Sequence, residues 1–512
     1  MKIALTGVTG NMGSAALKEL VNIEEISHFK LLVLPDDKKR IKKLLRGLKA
    51  HKNKFEVIYG NIADENVCAF LVKDVDYVVN MAAVIPPHSD QYPEKAIECN
   101  EVGVDKLVTA IENAKPQPKL IHISTVALYG NRNYLRPWAR VGDPLLVSPF
   151  DIYSATKLRG EFRVLESSIE NFAVLRQSAM LHNNMMSDNL HDGLMFHTCF
   201  NAPLEWVTAH DSGVLIANII RRDMKEDLSK TFWRKCFNIG SVAKNRITGF
   251  NTLDDGFKMM GASAKDFFEP NYNATRNFHG VWFYDGEKLE ELFKYQSEDT
   301  DYFWQTFLKK HSYFKLGKLC PKGLIKKFAI KRLFKSENAA RYWVEHNDEA
   351  KVFAYFGGES QYKRIPKTWD KFNLLVENKG DNGEAVDFEA LRQKENAKLV
   401  DLKFNPDKEI TIKDLKAVAE AHGGKLLSKK FEGLYDKLEW ENSDGEKFEA
   451  RAYTILGAGH WLNCTYKEYA WDFDRLAKTD AIYAQVWYES HVKNEDKFYY
   501  LDKNFEARIK NL

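Results

Sequence analysis

Paired cysteines are missing from this chain. Its six (Cys68, Cys99, Cys199, Cys236, Cys320 and Cys464) are scattered, with neither the close spacing of a metal cluster nor the density of a disulfide framework. A reduced, cytoplasmic setting is expected, and no metal site. Also missing is any apolar run near the roughly 20 residues that cross a bilayer, so no integral span is expected. Met1-Lys2 leads straight into a short strand that glycine interrupts, which is no signal-peptide core. Charge of one sign is not in excess either. A net charge of +3 and a pI near 8.2 give no composition-level reason to expect a nucleic-acid partner. What remains is a globular chain of 512 residues, 44% apolar and 13% aromatic. That length exceeds what one core serves, so two or three domains are expected.

Short apolar runs alternate with amphipathic stretches through the first half. Strand candidates are 2–7, 29–34, 55–60, 77–83, 119–125, 172–177 and 204–209; helical patterns include 14–21, 39–48, 102–114 and 154–168. Strand alternating with helix predicts an α/β fold, a doubly wound parallel Rossmann sheet with helices on both faces. Ligands of such a sheet bind beyond the carboxyl ends of its strands.

The first strand ends in TGVTGNMG (Thr6 to Gly13). Gly7 suits a tight turn, Gly10 lets a pyrophosphate near the backbone, and Gly13 lets the next helix pack closely. A helix opening near Asn11 offers unpaired N–H groups and the positive end of its dipole to an anion. A glycine pattern by itself is also compatible with an ordinary strand–turn–helix. Two further stretches make it specific. In DIYSATK, Tyr153 and Lys157 stand one helical turn apart on a shared face. The strand end IHISTVALYG brings Ser124 and Thr125 to the carboxyl edge. A free tyrosine titrates near 10, and a neighbouring ammonium lowers that value. Tyr153 is then the expected proton carrier and Lys157 its cationic neighbour, free also to bind ribose hydroxyls. A hydroxyl of Thr125 or Ser124 would hold the substrate oxygen.

Together with NMAAVIPP (80–87), ECNEVGV (98–104) and PWARVGDPL (137–145), these stretches resemble the extended short-chain dehydrogenase/reductase superfamily. The likeness is to its epimerase/dehydratase and 3β-hydroxysteroid-dehydrogenase-like members, over roughly residues 1–310. The resemblance implies an enzyme using NAD or NADP on a small-molecule substrate, with Thr125, Tyr153, Lys157 and Ser124 as catalytic residues. It implies cofactor contacts at Gly7, Thr9, Gly10, Asn11, Met12, Gly13, Asn61, Ile62, Ala82, Ala83 and Asn100, besides Tyr153 and Lys157. Asn61 stands where the family has Asp. It also implies a homodimer paired through helices near 90–115 and 150–170. At the end of the second strand, Asp36 or Asp37 would suit NAD, while Lys38, Lys39 and Arg40 would suit NADP; both stay open.

Val126-Ala127 follow Thr125 where similar dehydratases carry an Asp-Glu pair, so dehydration is not expected. A pocket drawn from Trp138, Met185, Met186, Met195, Phe196, Trp206 and Trp282 favours an apolar or amphipathic substrate. The preferred reading is therefore an alcohol/ketone oxidoreductase of hydroxysteroid type. The first alternative is a nucleotide-sugar epimerase with Arg276 as a clamp. The second is a dinucleotide-binding interaction protein without turnover, which the intact Tyr153/Lys157 pair argues against. His182, His191 and His197 are spaced too widely for a common metal pattern.

The expected domains are residues 1–315 (substrate lobe mainly 178–200 and 240–315), a basic helical connector and linker at 316–395, and a separate small α+β domain at 396–512. Residues 309–335 hold ten Lys or Arg and no acid. A basic amphipathic helix docked on its own domain is the favoured reading there, with a membrane surface as the alternative. The last domain resembles a small zinc-ribbon-like module whose ligand positions carry Asn442, Glu446, Leu462 and Thr465. A module without its metal must be held by Trp440, Phe448 and Trp461.

Overall fold

The computed structural model describes residues 1–133, 136–185, 192–259, 261–374, 409–462 and 470–500. Seven strands form one parallel sheet: β1 (Lys2–Thr6), β2 (His28–Val33), β3 (Phe55–Tyr59), β4 (Tyr77–Asn80), β5 (Lys119–Thr125), β6 (Phe172–Gln177) and β7 (Lys235–Ile239). Their order is β3-β2-β1-β4-β5-β6-β7, every neighbouring pair parallel. The expected Rossmann fold is therefore present.

The alternation of side chains along each strand explains the two helical layers. Ile3, Leu5, Leu31, Val79 and Ile121 face one layer, where α1 (Asn11–Leu20) lies with the helix Ala209–Asp223. Ala4, Leu32, Val78, Leu120 and Val174 face the other, against α2 (Gly103–Asn113) and α3 (Ile152–Leu165). The order reverses between β1 and β4, which opens a crevice at the carboxyl edge directly over the turn after β1.

One strand assignment differs. The run expected at 204–209 forms Pro203–Thr208 but leaves the main sheet. It lies between Ala179–Leu181 and Arg246–Thr248 in a separate three-stranded sheet. The seventh place is taken by Lys235–Ile239. Both are short apolar runs, and local pattern carries no information about which distant edge a strand will join.

The segment after residue 315 packs inward as well as out. Trp343, Tyr355 and Phe356 are buried in the same core as Phe196 and Phe268. Beyond it, the helix Ile412–Ala421 and three antiparallel strands (Lys425–Leu426, Lys437–Glu441, Lys447–Arg451) form the small α+β unit. The expected aromatic packing is there: Trp461 meets Trp440 and Phe448 edge-on, and His422 stacks on its other side. Of the zinc-ribbon ligand positions, Asn442 and Glu446 are tied to each other: the Asn442 amide donates to Glu446 at 3.0 Å, and its oxygen accepts the Glu446 N–H. Leu462 offers only its backbone oxygen to Asn442, and Thr465 lies outside the described residues. Among the described residues no group of three or more His, Cys, Asp or Glu is placed to hold a metal ion.

This unit is docked on the sheet. Tyr453 accepts a hydrogen bond from the Cys236 N–H on the edge strand β7 at 2.7 Å, and Arg451 N–H donates to Glu166 at the end of α3. At the centre, the buried Arg176 of β6 donates to Glu161 of α3 and to the Ala458 carbonyl, while His460 Nε2 lies 2.9 Å from Glu161. Burial alone would push the Glu161 carboxyl up; Arg176 and His460 outweigh it and hold it far below the carboxylate range. Removing the guanidinium in Arg176→Met strands that carboxylate, so the variant should lose about 3–5 kcal/mol of unfolding free energy. Denaturant unfolding followed by tryptophan fluorescence measures this.

Candidate active site

The turn after β1 has the geometry that its glycines suggest. Gly7 sits at φ +64°, and a Cβ there would lie 2.5 Å from the Met81 carbonyl. A Cβ on Gly13 would lie 2.2 Å from the Gly7 oxygen, so α1 packs directly on the turn. Gly10 is exposed, and α1 begins on it with no side-chain cap, leaving its first N–H groups to face the crevice. Uncapped donors at the positive end of a ten-residue helix suit a diphosphate. Asn11 opens the helix and Met12 is buried beneath it. Thr9 donates to Asp37 at 2.7 Å, which fixes a carboxylate beside the turn; Arg40 holds its other oxygen at 3.2 Å.

The remaining predicted contacts surround this crevice in different ways. Ala82 N–H donates to Thr6, and Ala83 follows it on the loop leaving β4. Asn61 donates to Glu98 at 2.8 Å and accepts from Ala63 N–H, while Ile62 is buried against α2. Asn100 is fully buried; it pairs with both backbone groups of Val84 and reaches Thr156 on α3 at 3.1 Å. It ties the β4 loop to the helix that carries Tyr153.

That helix is positioned by its own start. Asp151 caps α3 by accepting from the Ser154 N–H and hydroxyl. Tyr153 lies in the first turn, its phenol close to the Thr125 hydroxyl at the end of β5. Thr125 also accepts from the Ala127 N–H, and the neighbouring Ser124 hydroxyl is buried without a partner. Lys157 is 2% exposed and donates to the Ile123 carbonyl at 2.6 Å. One expectation is reversed: the Tyr153 phenol is not lowered. Loss of water pushes it up to about 12 although Thr125 pulls the other way. Burial also brings the Lys157 ammonium down to about 8, against the raising effect of Cys99 and Glu161. A lysine bonded to a carbonyl leaves the phenol little to offset its desolvation.

Thr125 and Tyr153 open into a cavity of about 470 Å³. Met185, Met195 and Trp206 line it as expected, joined by Met180, Trp304 and Trp343. Trp138 and Trp282 instead pack on each other at 5.5 Å, Phe196 is in the core, and Met186 lies outside the described residues. His197 lines the wall with Nε2 on the Asn338 carbonyl at 2.5 Å, and burial takes it down to about 4. Arg276 does not serve as a clamp here. Its guanidinium is buried on Glu495 (2.7 and 3.1 Å) and the carbonyls of Phe353, Ala354 and Ser490.

Three polar residues of the cavity escape a sequence reading. His279 Nδ1 lies 2.8 Å from Asp151, so one carboxylate both caps α3 and orients an imidazole beside Tyr153. Burial against α3 raises the Asp151 carboxyl, but His279 and Ser154 outweigh that and hold it low. Asp90, from the short helix His88–Gln91, faces the same space; burial and the nearby Asp151 push it up to about 7. Asp151 in DIYSATK was the one available signal, through its cap position.

A parallel sheet whose order reverses beside an uncapped glycine turn, with Thr125, Tyr153 and Lys157 at its carboxyl edge, has the extended short-chain dehydrogenase/reductase architecture. Residues 3–178 match the model of the NAD dependent epimerase/dehydratase family. No curated protein matches the chain by sequence. Similar solved structures include UDP-glucuronic acid 4-epimerase from Bacillus cereus in complex with NAD, 20% identical, covering 62% of this chain and 97% of that one with a TM-score of 0.44. The dTDP-glucose 4,6-dehydratase of Streptomyces venezuelae is 17% identical over 60% and 97% of the two chains, TM-score 0.47. The UDP-Glc/GlcNAc 4-epimerase of Campylobacter jejuni is 18% identical over 62% and 99%, TM-score 0.46.

Asp90 yields a pH prediction. Unfolded, an aspartate titrates near 3.9; folded, Asp90 does so at about 7. Between those values the unfolded chain binds fewer protons, so Asp90 costs stability increasingly as pH rises through that window. Asp90→Asn should therefore melt at a higher temperature than the parent at pH 8, and the difference should vanish near pH 4. Thermal melts at the two pH values read it directly.

Proposed function

We propose that this protein is an NAD-dependent oxidoreductase that interconverts a secondary alcohol and a ketone on an apolar or amphipathic small molecule. The observation that carries the reading is the cavity: Thr125 and Tyr153 open into a space walled by Met180, Met185, Met195, Trp206 and Trp304. Arg276, the cation best placed in sequence to grip a diphosphate, is already paired with Glu495.

NAD when bound supplies the hydride acceptor. The chain's own residues fit it. The uncapped start of α1 offers N–H donors to the diphosphate, and Asp37 offers a carboxylate to a ribose diol. The same carboxylate would repel a 2′-phosphate. Arg40 is engaged by Asp37 and Lys38 lies over the Tyr59 ring, which leaves NADP less well served. Lys157 would hold the ribose hydroxyls.

With its phenol near 12, Tyr153 holds its proton at neutral pH. It can deliver that proton to a ketone oxygen, and Thr125 can hold the same oxygen in line. In the oxidative direction the phenolate needs a high pH or a cation moved closer; freeing Lys157 from Ile123 would supply that cation. Alcohol oxidation should accordingly rise toward alkaline pH, while ketone reduction should persist at neutral pH.

Nucleotide-sugar epimerisation is the second reading, favoured by the family match over residues 3–178. Incubation with NAD and a panel of hydroxysteroids, aliphatic secondary alcohols and UDP-sugars separates them. Net NADH formation from an apolar alcohol supports the first reading; a UDP-sugar converted with no net change in cofactor would replace it. Tyr153→Phe should lose turnover by about 10²–10⁴-fold and keep its NAD affinity in calorimetry. Undiminished turnover in that variant would refute the proton-carrying role.

A further inference from the structure

Residues 309–335 hold ten Lys or Arg and no acid in a chain whose net charge is only +3. A helix docked on its own domain would bury its apolar face. Here only Ile330 and Leu333 are buried, with Phe314, Ile325 and Phe334 partly so. Tyr313, Leu316, Leu319, Leu324 and Phe328 are 61%, 62%, 81%, 52% and 64% exposed.

We propose that this surface docks the protein on an anionic lipid membrane. It is held firmly enough to act as a built surface. Phe314 packs on Phe307 at 5.5 Å between ring centres, Lys322 pairs with Asp266 at 2.7 Å, and Lys326 with Glu269 at 3.1 Å. The other lysines and the exposed apolar side chains project from short helical turns broken at Pro321.

Charge and apolarity together select the partner. A nucleic acid would neutralise the lysines and leave Leu316, Leu319 and Leu324 in water. An acidic protein groove takes one continuous helical face, and Pro321 interrupts this one. A membrane interface accepts both features without demanding a regular helix: leucine and phenylalanine enter the acyl boundary while lysines meet anionic headgroups. No helix among the described residues is long and apolar enough to cross a membrane, so the contact is peripheral. This inference does not depend on the substrate assigned above.

Flotation of the full chain with vesicles tests it. The protein should float with phosphatidylcholine vesicles containing phosphatidylglycerol, remain below with phosphatidylcholine alone, and detach as salt is raised. A double variant, Leu319→Glu with Phe328→Glu, should reduce the bound fraction roughly tenfold or more with an unchanged melting temperature. Phe328→Trp should be quenched by brominated phosphatidylglycerol. Three results would each overturn the proposal: no flotation of the parent protein, binding to heparin with none to vesicles, or undiminished vesicle binding by the double variant.

Discussion

The Glu161 carboxylate, wholly buried in α3, is held by the Arg176 guanidinium of β6 and by His460 of the carboxyl-terminal unit. Tyr153, Lys157 and Glu161 recur at helical spacing, so the same helix presents Tyr153 at one end of a face and this ion pair at the other. An unpaired carboxylate in that position would be very costly, and the arrangement tolerates few alternatives. The pair therefore sets the height and rotation of α3 against the sheet. Where Tyr153 stands relative to Thr125 follows from it.

The same interaction explains why the carboxyl-terminal unit is part of the body rather than an appendage. The Arg176 guanidinium reaches the Ala458 carbonyl, and His460 packs beside Phe162 on the outer side of α3. Gly459 lies so close to Asp143 that a Cβ would sit 2.1 Å from its oxygen. The stretch at 137–145 is thus pinned between lobe and module. Part of the helical face near 150–170 that the family resemblance assigns to a second copy is met here by the chain itself.

Much of this was written in local pattern. Short apolar runs mark six of the seven strands of the sheet, and the glycine turn, Thr125, Tyr153 and Lys157 all have local signatures. What local pattern could not carry was partnership. Lys235–Ile239 and Pro203–Thr208 look alike as sequences, and only tertiary pairing separates them. His279 is far in sequence from Asp151, so their contact has no spacing to read. The fall expected in the Tyr153 pKa failed for a similar reason: the Lys157 ammonium donates to the Ile123 carbonyl on the neighbouring strand, which no motif records.

Arg276 shows how an added unit can alter what a shared lobe does. Its guanidinium has good bidentate geometry on Glu495, and three carbonyls take its remaining donors. Releasing it toward a diphosphate would leave Glu495 without that partner and break its bonds to the three carbonyls. A cation committed to holding the carboxyl-terminal unit is thereby withdrawn from the cavity. What the cavity then presents to a substrate includes Met180, Met185, Met195, Trp206, Trp304 and Trp343, with Asp90, Asp151, His197, Glu205, His279 and Lys351 among its polar groups. The low-charge substrate proposed above would meet apolar walls there and take its hydrogen bonds from that polar set.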